Sequence, residues 1–275
     1  MKKNNYLFLL LLLLCAVSCN KGYRISGTSS VSVVDGKMIY LRSFEGGNWS
    51  TKDSASVVHG TFSMEGTVDS AQIVSIFMDG ESFMPMVLEP GHIEMSITPA
   101  GFDVRGTELN DKLYDFIRRK GELDLQIQEA SRIENRLILD GAPADEARAK
   151  AEEKAAEVTR QIQQLTKDFI SANYQNILGP SVFLMVCGSS FPYPYLTTDL
   201  EELYESAPSS FQNHPEVKEY VSRARENMRL MKEQLQANEA RFRAAQAADS
   251  LGGGGLVGGA SPALALPSTE GAGLK

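Results

Sequence analysis

The chain has 275 residues, of which 43% are apolar and 23% charged. That length supports one large or two small domains around a sizeable core. A formal net charge of −8, with no run of Lys or Arg longer than three residues, argues against a general attraction to phosphate backbones, and no nucleic-acid partner is expected.

Residues 1–18 read as a lipoprotein signal peptide. Met1-Lys2-Lys3 is a short basic start, and Leu7 through Leu14 contain only Leu and Phe. Such a charged start with a short apolar core marks a secretory signal. As a membrane span it is too short, since crossing the hydrocarbon takes about 20 apolar residues. Ala16-Val17-Ser18-Cys19 resembles the lipobox of bacterial lipoproteins. Ser18 is small enough for the peptidase, and Cys19 supplies the thiolate that takes a diacylglycerol, although Ala16 departs from the commoner Leu. Cys15 follows the bulky Leu14 and competes poorly. The alternative is an ordinary leader with a chance cysteine. Each buried CH₂ contributes about 0.8 kcal/mol, so a multiply acylated Cys19 would hold the chain on a lipid bilayer. Cys187 is then the one free thiol, and no internal disulfide can form.

Residues 19–106 predict an antiparallel β-sandwich of seven or eight strands. Runs of β-branched and aromatic residues fall at Tyr23–Thr28, Lys37–Phe44, Ser54–Val58, Thr61–Val68, Gln72–Met78, Phe83–Glu89, His92–Thr98 and Phe102–Arg105. Between them sit Asp35-Gly36, His59-Gly60, Asp79-Gly80 and Pro90-Gly91, pairs able to supply the positive φ angles of tight hairpins.

At Thr107 the period changes, and residues 107–248 read as a helical region, giving an α+β chain. Leu109, Leu113, Phe116, Leu123, Ile127, Ala130 and Leu137 alternate steps of four and three, with Lys120 and Glu134 in the gaps. Asp140-Gly141-Ala142-Pro143 breaks this helix, and Pro143 is placed to open the next. Ala151, Ala155, Val158, Ile162, Leu165 and Phe169 continue the spacing. So short a turn predicts a long antiparallel helical hairpin with arms of roughly 45 Å. A Gly/Pro-rich loop over 176–195 encloses a short apolar helix at Ser181–Val186, and another small helix is expected near Leu200–Glu205. The last helix begins at Pro215 and carries Val217, Val221, Ala224, Met228, Met231, Leu235 and Phe242 in heptad register. Residues 249–275 are rich in Gly, Pro and Ala and read as a disordered tail.

Chemistry is hard to place on this chain. His59, His92 and His214 are far apart in sequence, and Gly-x-Ser-x-Gly is absent. Gly252–Gly255 lacks the Lys-Ser/Thr of a phosphate loop, and Glu152-Glu153 and Glu201-Glu202 point to different helix faces. No cofactor or metal is expected. Cys187 follows Phe183-Leu184-Met185-Val186, which suggests a buried, inert thiol; the alternative is a mixed-disulfide site for a separate oxidoreductase. Phe191-Pro192-Tyr193-Pro194-Tyr195 is stiff and aromatic. Phe191, Tyr193 and Tyr195 either fill a gap between helices or form a partner-binding surface.

The β region resembles the domain of unknown function 4369 found in anchored envelope lipoproteins. The resemblance rests on Tyr23-Arg24-Ile25-Ser26-Gly27-Thr28, Met38-Ile39-Tyr40-Leu41, Asp53-Ser54-Ala55 leading to Gly60-Thr61-Phe62, Leu88-Glu89-Pro90-Gly91, and Gly106-Thr107-Glu108-Leu109-Asn110. It covers about residues 22–118, and more loosely the helices to about 230. Many members continue into a thioredoxin-like domain with a Trp-Cys-x-x-Cys site. Here the single Trp is Trp49, no Cys-x-x-Cys occurs, and a Gly-rich stretch stands where that domain would start. Asn20-Lys21-Gly22 after the anchor lacks the acidic cluster that would resemble a surface-export tag, which favours an outer-membrane position facing the periplasm. The expectation is a non-enzymatic envelope lipoprotein that binds or scaffolds an unknown envelope protein or glycan. The alternative is an accessory partner of thioredoxin-like thiol-disulfide oxidoreductases.

Overall fold

The computed structural model describes residues 21–190 and 192–251. Eight strands come first: β1 (Gly22–Ser29), β2 (Met38–Glu45), β3 (Asn48–Ser56), β4 (Thr61–Thr67), β5 (Gln72–Met78), β6 (Glu81–Leu88), β7 (Gly91–Thr98) and β8 (Gly101–Arg105). Six helices follow: α1 (Glu108–Leu139), α2 (Ala144–Ala172), α3 (Leu178–Ser190), α4 (Thr198–Ser206), α5 (Ser209–Gln212) and α6 (Pro215–Leu251). The α+β order and the strand-rich N-terminal half match the sequence expectation. The last helix reaches Leu251, and the rest of the expected tail lies outside the described residues. Among the described residues no helix is long and apolar enough to cross a membrane.

The strands form two four-stranded sheets, ordered β4-β1-β7-β8 and β3-β2-β5-β6. Inward positions alternate along β1, β2, β4 and β7, as a two-layer core requires: Ile25 on β1, Ile39 and Leu41 on β2, Ile93 and Met95 on β7 are buried. One pairing departs from an all-antiparallel sandwich. β1 and β7 run parallel, with Ile25 opposite Ile93. Strands so far apart in sequence are brought together by the fold and not by a turn. For the same reason Asp35-Gly36 and Pro90-Gly91 are not hairpin turns; the strands that they connect belong to different sheets. The β2–β3 hairpin turns instead on Gly46-Gly47, both at positive φ.

Two glycines receive an aromatic ring from the neighbouring strand. Gly27 lies opposite Phe62 and Gly66 opposite Tyr23. A Cβ on Gly27 would meet the Phe62 ring at 2.0 Å, and one on Gly66 the Tyr23 hydroxyl at 2.5 Å. Glycine at each site lets a large ring lie flat on the backbone beside the core.

The start of α1 seals the sandwich at edge strand β6. Asn110 is fully buried; its Oδ1 accepts the Val87 N–H at 2.9 Å and its Nδ2 donates to the Val87 carbonyl at 2.8 Å. One side chain thus satisfies both outward groups of an edge-strand residue. The Tyr114 hydroxyl donates to the Pro85 carbonyl one turn later, at 3.2 Å. Thr107 makes no side-chain cap, and Glu89 takes that role: its Oε1 accepts the Leu109 N–H at 3.1 Å.

Two compact units result, Met1–Val182 and Phe183–Lys275. The first takes in α1 and α2 with the sandwich. Phe116 of α1 stacks on Phe169 of α2 with ring centroids 4.3 Å apart, and Glu134 of α1 meets Arg148 of α2 at 3.6 Å. Leu113, Phe116, Ala130, Ala151 and Val158 are buried, and the other apolar seam positions are half-buried. In the second unit Phe183 and Phe211 meet edge-on at 5.6 Å, and Val217, Val221 and Ala224 of α6 are buried. Beyond Met231 the heptad no longer means burial, since Leu235 and Phe242 are 56% and 61% exposed.

Candidate functional site

Several residues that carried the family resemblance, among them Tyr23, Gly27, Phe62 and Asn110, are buried fold joints. The Tyr23 hydroxyl donates to Asp53 Oδ2 at 2.7 Å. Burial first, then that bond and the Asp53 charge, raise the Tyr23 phenol far above its ordinary range. Burial raises Tyr114 likewise. Glu89 and Asn110 tie the β6–β7 connection to α1. These groups are committed to structure and give no acid/base pair facing a cleft. Among the described residues no three His, Cys, Asp or Glu side chains are grouped to hold a metal ion.

Cys19 and Phe191 lie outside the described residues. Tyr193 and Tyr195 are half-buried in the second unit, where the segment is tethered to α6 through its backbone. The Tyr195 N–H donates to Tyr220 Oη at 3.2 Å, Tyr220 Oη donates back to the Tyr195 carbonyl at 3.3 Å, and Asn227 donates to the Pro194 carbonyl at 2.9 Å. Cys187 is buried, and that burial pushes its thiol up to about 12. The thiolate is the reactive form, so native Cys187 should resist iodoacetamide at pH 8 and react fully once denatured. Comparable labelling rates in both states would show that the thiol is accessible. The raised thiol also favours the folded chain fully below its ordinary value of 9.0. That contribution is lost as pH rises from there through about 12.

A surface that the sequence analysis did not single out lies on the outward face of β2, β3 and β5. Tyr40, Arg42 and Phe44 alternate along β2 with the buried Ile39, Leu41 and Ser43, so they share that outward face. Register then sets three rows: Trp49 beside Phe44, Thr51 and Ser75 on either side of Arg42, and Ser54 and Phe77 on either side of Tyr40. A bulge between Leu41 and Arg42 shifts the β2–β3 register and keeps Thr51 beside Arg42.

The Arg42 guanidinium sits 4.9 Å from the ring centroids of both Tyr40 and Phe77, a cation–π arrangement. Trp49 meets Phe77 edge-on at 4.8 Å and Phe44 at 5.2 Å. Phe77 is 6% exposed, yet Phe44 and Trp49 remain 52% and 49% exposed. Arg42 Nε is buried without a hydrogen-bond partner, and among the described residues no carboxylate pairs with the guanidinium. Isolated exposed apolar residues are ordinary; clustered Trp, Phe and Arg side chains are the composition of binding hot spots. The outward step Tyr40-Arg42-Phe44 and the lone Trp49 in a polar strand were the available signals.

A second recess, of about 700 Å³, runs between α1 and α2 over Phe116, Leu123, Leu165 and Phe169. Lys112 and Arg119 stand among Asp115, Glu122 and Asp168 on its lining, so charges of both signs are mixed there.

Residues 23–113 match the family model described as Domain of unknown function (DUF4369). The match ends at Leu113, the buried residue of α1 that packs into the sandwich core. No curated protein and no solved structure matches the chain.

Proposed function

From the match of residues 23–113 to the DUF4369 family model, we propose that the chain is an envelope lipoprotein, anchored through acylated Cys19, that acts as a non-catalytic binding module. Its contact surface is the outward face around Arg42. The observation that carries this reading is the pair of half-exposed rings, Phe44 and Trp49, gathered beside an uncompensated guanidinium. The basic start, apolar run and Ser18-Cys19 pair support the anchor and an outer-membrane, periplasm-facing position. Tyr23, Tyr114 and Cys187 are raised chiefly because they are buried, which supports structural roles for them. The redox-accessory alternative needs a reactive thiol, and the buried Cys187 offers it little support.

The test uses the full chain in its native host. Cys19→Ser should move the protein from membranes to the soluble fraction, whereas retention on membranes in high salt would contradict the anchor. Phe44→Ala with Trp49→Ala should keep the fold and abolish co-recovery of envelope material obtained with the unaltered chain. Unchanged recovery by the double variant would place the contact surface elsewhere.

A further inference from the structure

The face around Arg42 has a chemistry that specifies its ligand more narrowly than hydrophobic contact alone. β2, β3 and β5 carry only two acidic side chains, Glu45 and Asp53, and both are engaged. Glu45 Oε1 lies 2.7 Å from Lys52 Nζ and accepts from Ser43 Oγ at 2.8 Å. Asp53 Oδ2 accepts from the Tyr23 hydroxyl at 2.7 Å, and its Oδ1 from the Ser54 N–H at 2.7 Å. Lys52, the other cation of the three strands, is taken by Glu45. Arg42 alone keeps an uncompensated charge, held in place by the Tyr40 and Phe77 rings.

Around that charge lie two kinds of group. Thr51 and Ser54 present exposed side chains at the registers of Arg42 and Tyr40, and Phe44 and Trp49 present apolar ring surface. The backbone of β2 is paired with β3 along Met38–Glu45 and with β5 over Ile39–Arg42. A ligand lying over Tyr40 and Arg42 is therefore read by side chains. Rings for stacking, hydroxyls for hydroxyls and a planar fork for an anion suit a sugar that carries a carboxylate.

We infer that this face is a binding site for an acidic glycan, with Arg42 holding the carboxylate of a uronic-acid unit while Trp49 and Phe44 stack on the sugar rings. The inference rests on the binding-module reading above and names its ligand class. Guanidinium and carboxylate meet through two parallel N–H···O bonds, which a lysine ammonium does not reproduce.

Calorimetry on the full chain tests it with oligogalacturonate as the probe, against the uncharged galactose oligomer and oligoglutamate. Saturable binding of oligogalacturonate is expected, weakened about tenfold or more in Arg42→Gln and partly in Arg42→Lys. Melting curves of both variants exclude unfolding as the cause, and if Arg42→Gln melts early, Arg42→Lys and the uncharged oligomer still decide. Equal binding of the uncharged oligomer, or unaltered binding by a folded Arg42→Gln, would overturn the role of the charge. Equal or tighter binding of oligoglutamate would point to an acidic protein instead. If no oligogalacturonate binds while envelope capture still depends on Phe44 and Trp49, the ligand class is wrong and the binding-module reading stands.

Discussion

Asn110→Ala should cost about 2–6 kcal/mol of stability, because it leaves two buried backbone groups of Val87 without partners at about 1–3 kcal/mol each. The side chain bonds both the N–H and the carbonyl of that edge-strand residue, and its amide also donates to Thr107 Oγ1 at 2.9 Å. Stability of an ordinary domain totals only about 5–15 kcal/mol, so the loss is a large share of it. Asn110→Asp should be no milder: it keeps an acceptor for the Val87 N–H but faces the Val87 carbonyl with a buried carboxylate. Urea titration of the full chain measures both. A cost below about 1 kcal/mol for Asn110→Ala would mean that water reaches Val87 and that α1 does not seal the sandwich edge.

Gly106→Ala should be similarly damaging for a different reason. Gly106 sits at φ +97°, and a Cβ there would stand 2.6 Å from the His92 carbonyl oxygen, a backbone atom that cannot swing aside. The strained φ costs about 1–3 kcal/mol and the overlap about as much again. Gly141 supplies the control. It lies at φ +92° with nothing within 4 Å of a Cβ, so Gly141→Ala should carry the strain alone. Equal losses for the two variants would show that the β8–α1 junction shifts to relieve the contact.

These two positions explain what the resemblance was reporting. Tyr23, Gly27, Phe62, Glu89, Gly106 and Asn110 were legible as a family pattern, but their roles depend on partners far away in the chain: Asp53, Phe62 over Gly27, Leu109, His92 and Val87. No local pattern encodes such meetings. Strand positions were legible because inward apolar residues alternate, and the heptads of α1 and α2 because burial recurs on their spacing.

Where both faces of an element are wet, that signal vanishes. The first half of β3, Asn48 to Thr51, is exposed throughout and falls between the expected strand runs, although it pairs with β2. The candidate surface was obscured for a related reason. Phe44 and Trp49 look like ordinary strand residues until register sets them beside Arg42, and the unpaired state of Arg42 follows from where Glu45 and Asp53 find their partners. The far half of α6 fails in the opposite way: Leu235 and Phe242 keep the heptad spacing while remaining exposed.

Trp49 is the only tryptophan of the chain and lies on the proposed contact surface. Its emission therefore reports on that face alone. The most direct measurement is the Trp49 spectrum and its acrylamide quenching while the full chain is titrated with soluble material released from native envelopes. The binding-module account expects a saturable shift to shorter wavelength and reduced quenching as the half-exposed indole is covered. Binding of that material, established by calorimetry in the same mixture, with emission and quenching unchanged would contradict the account.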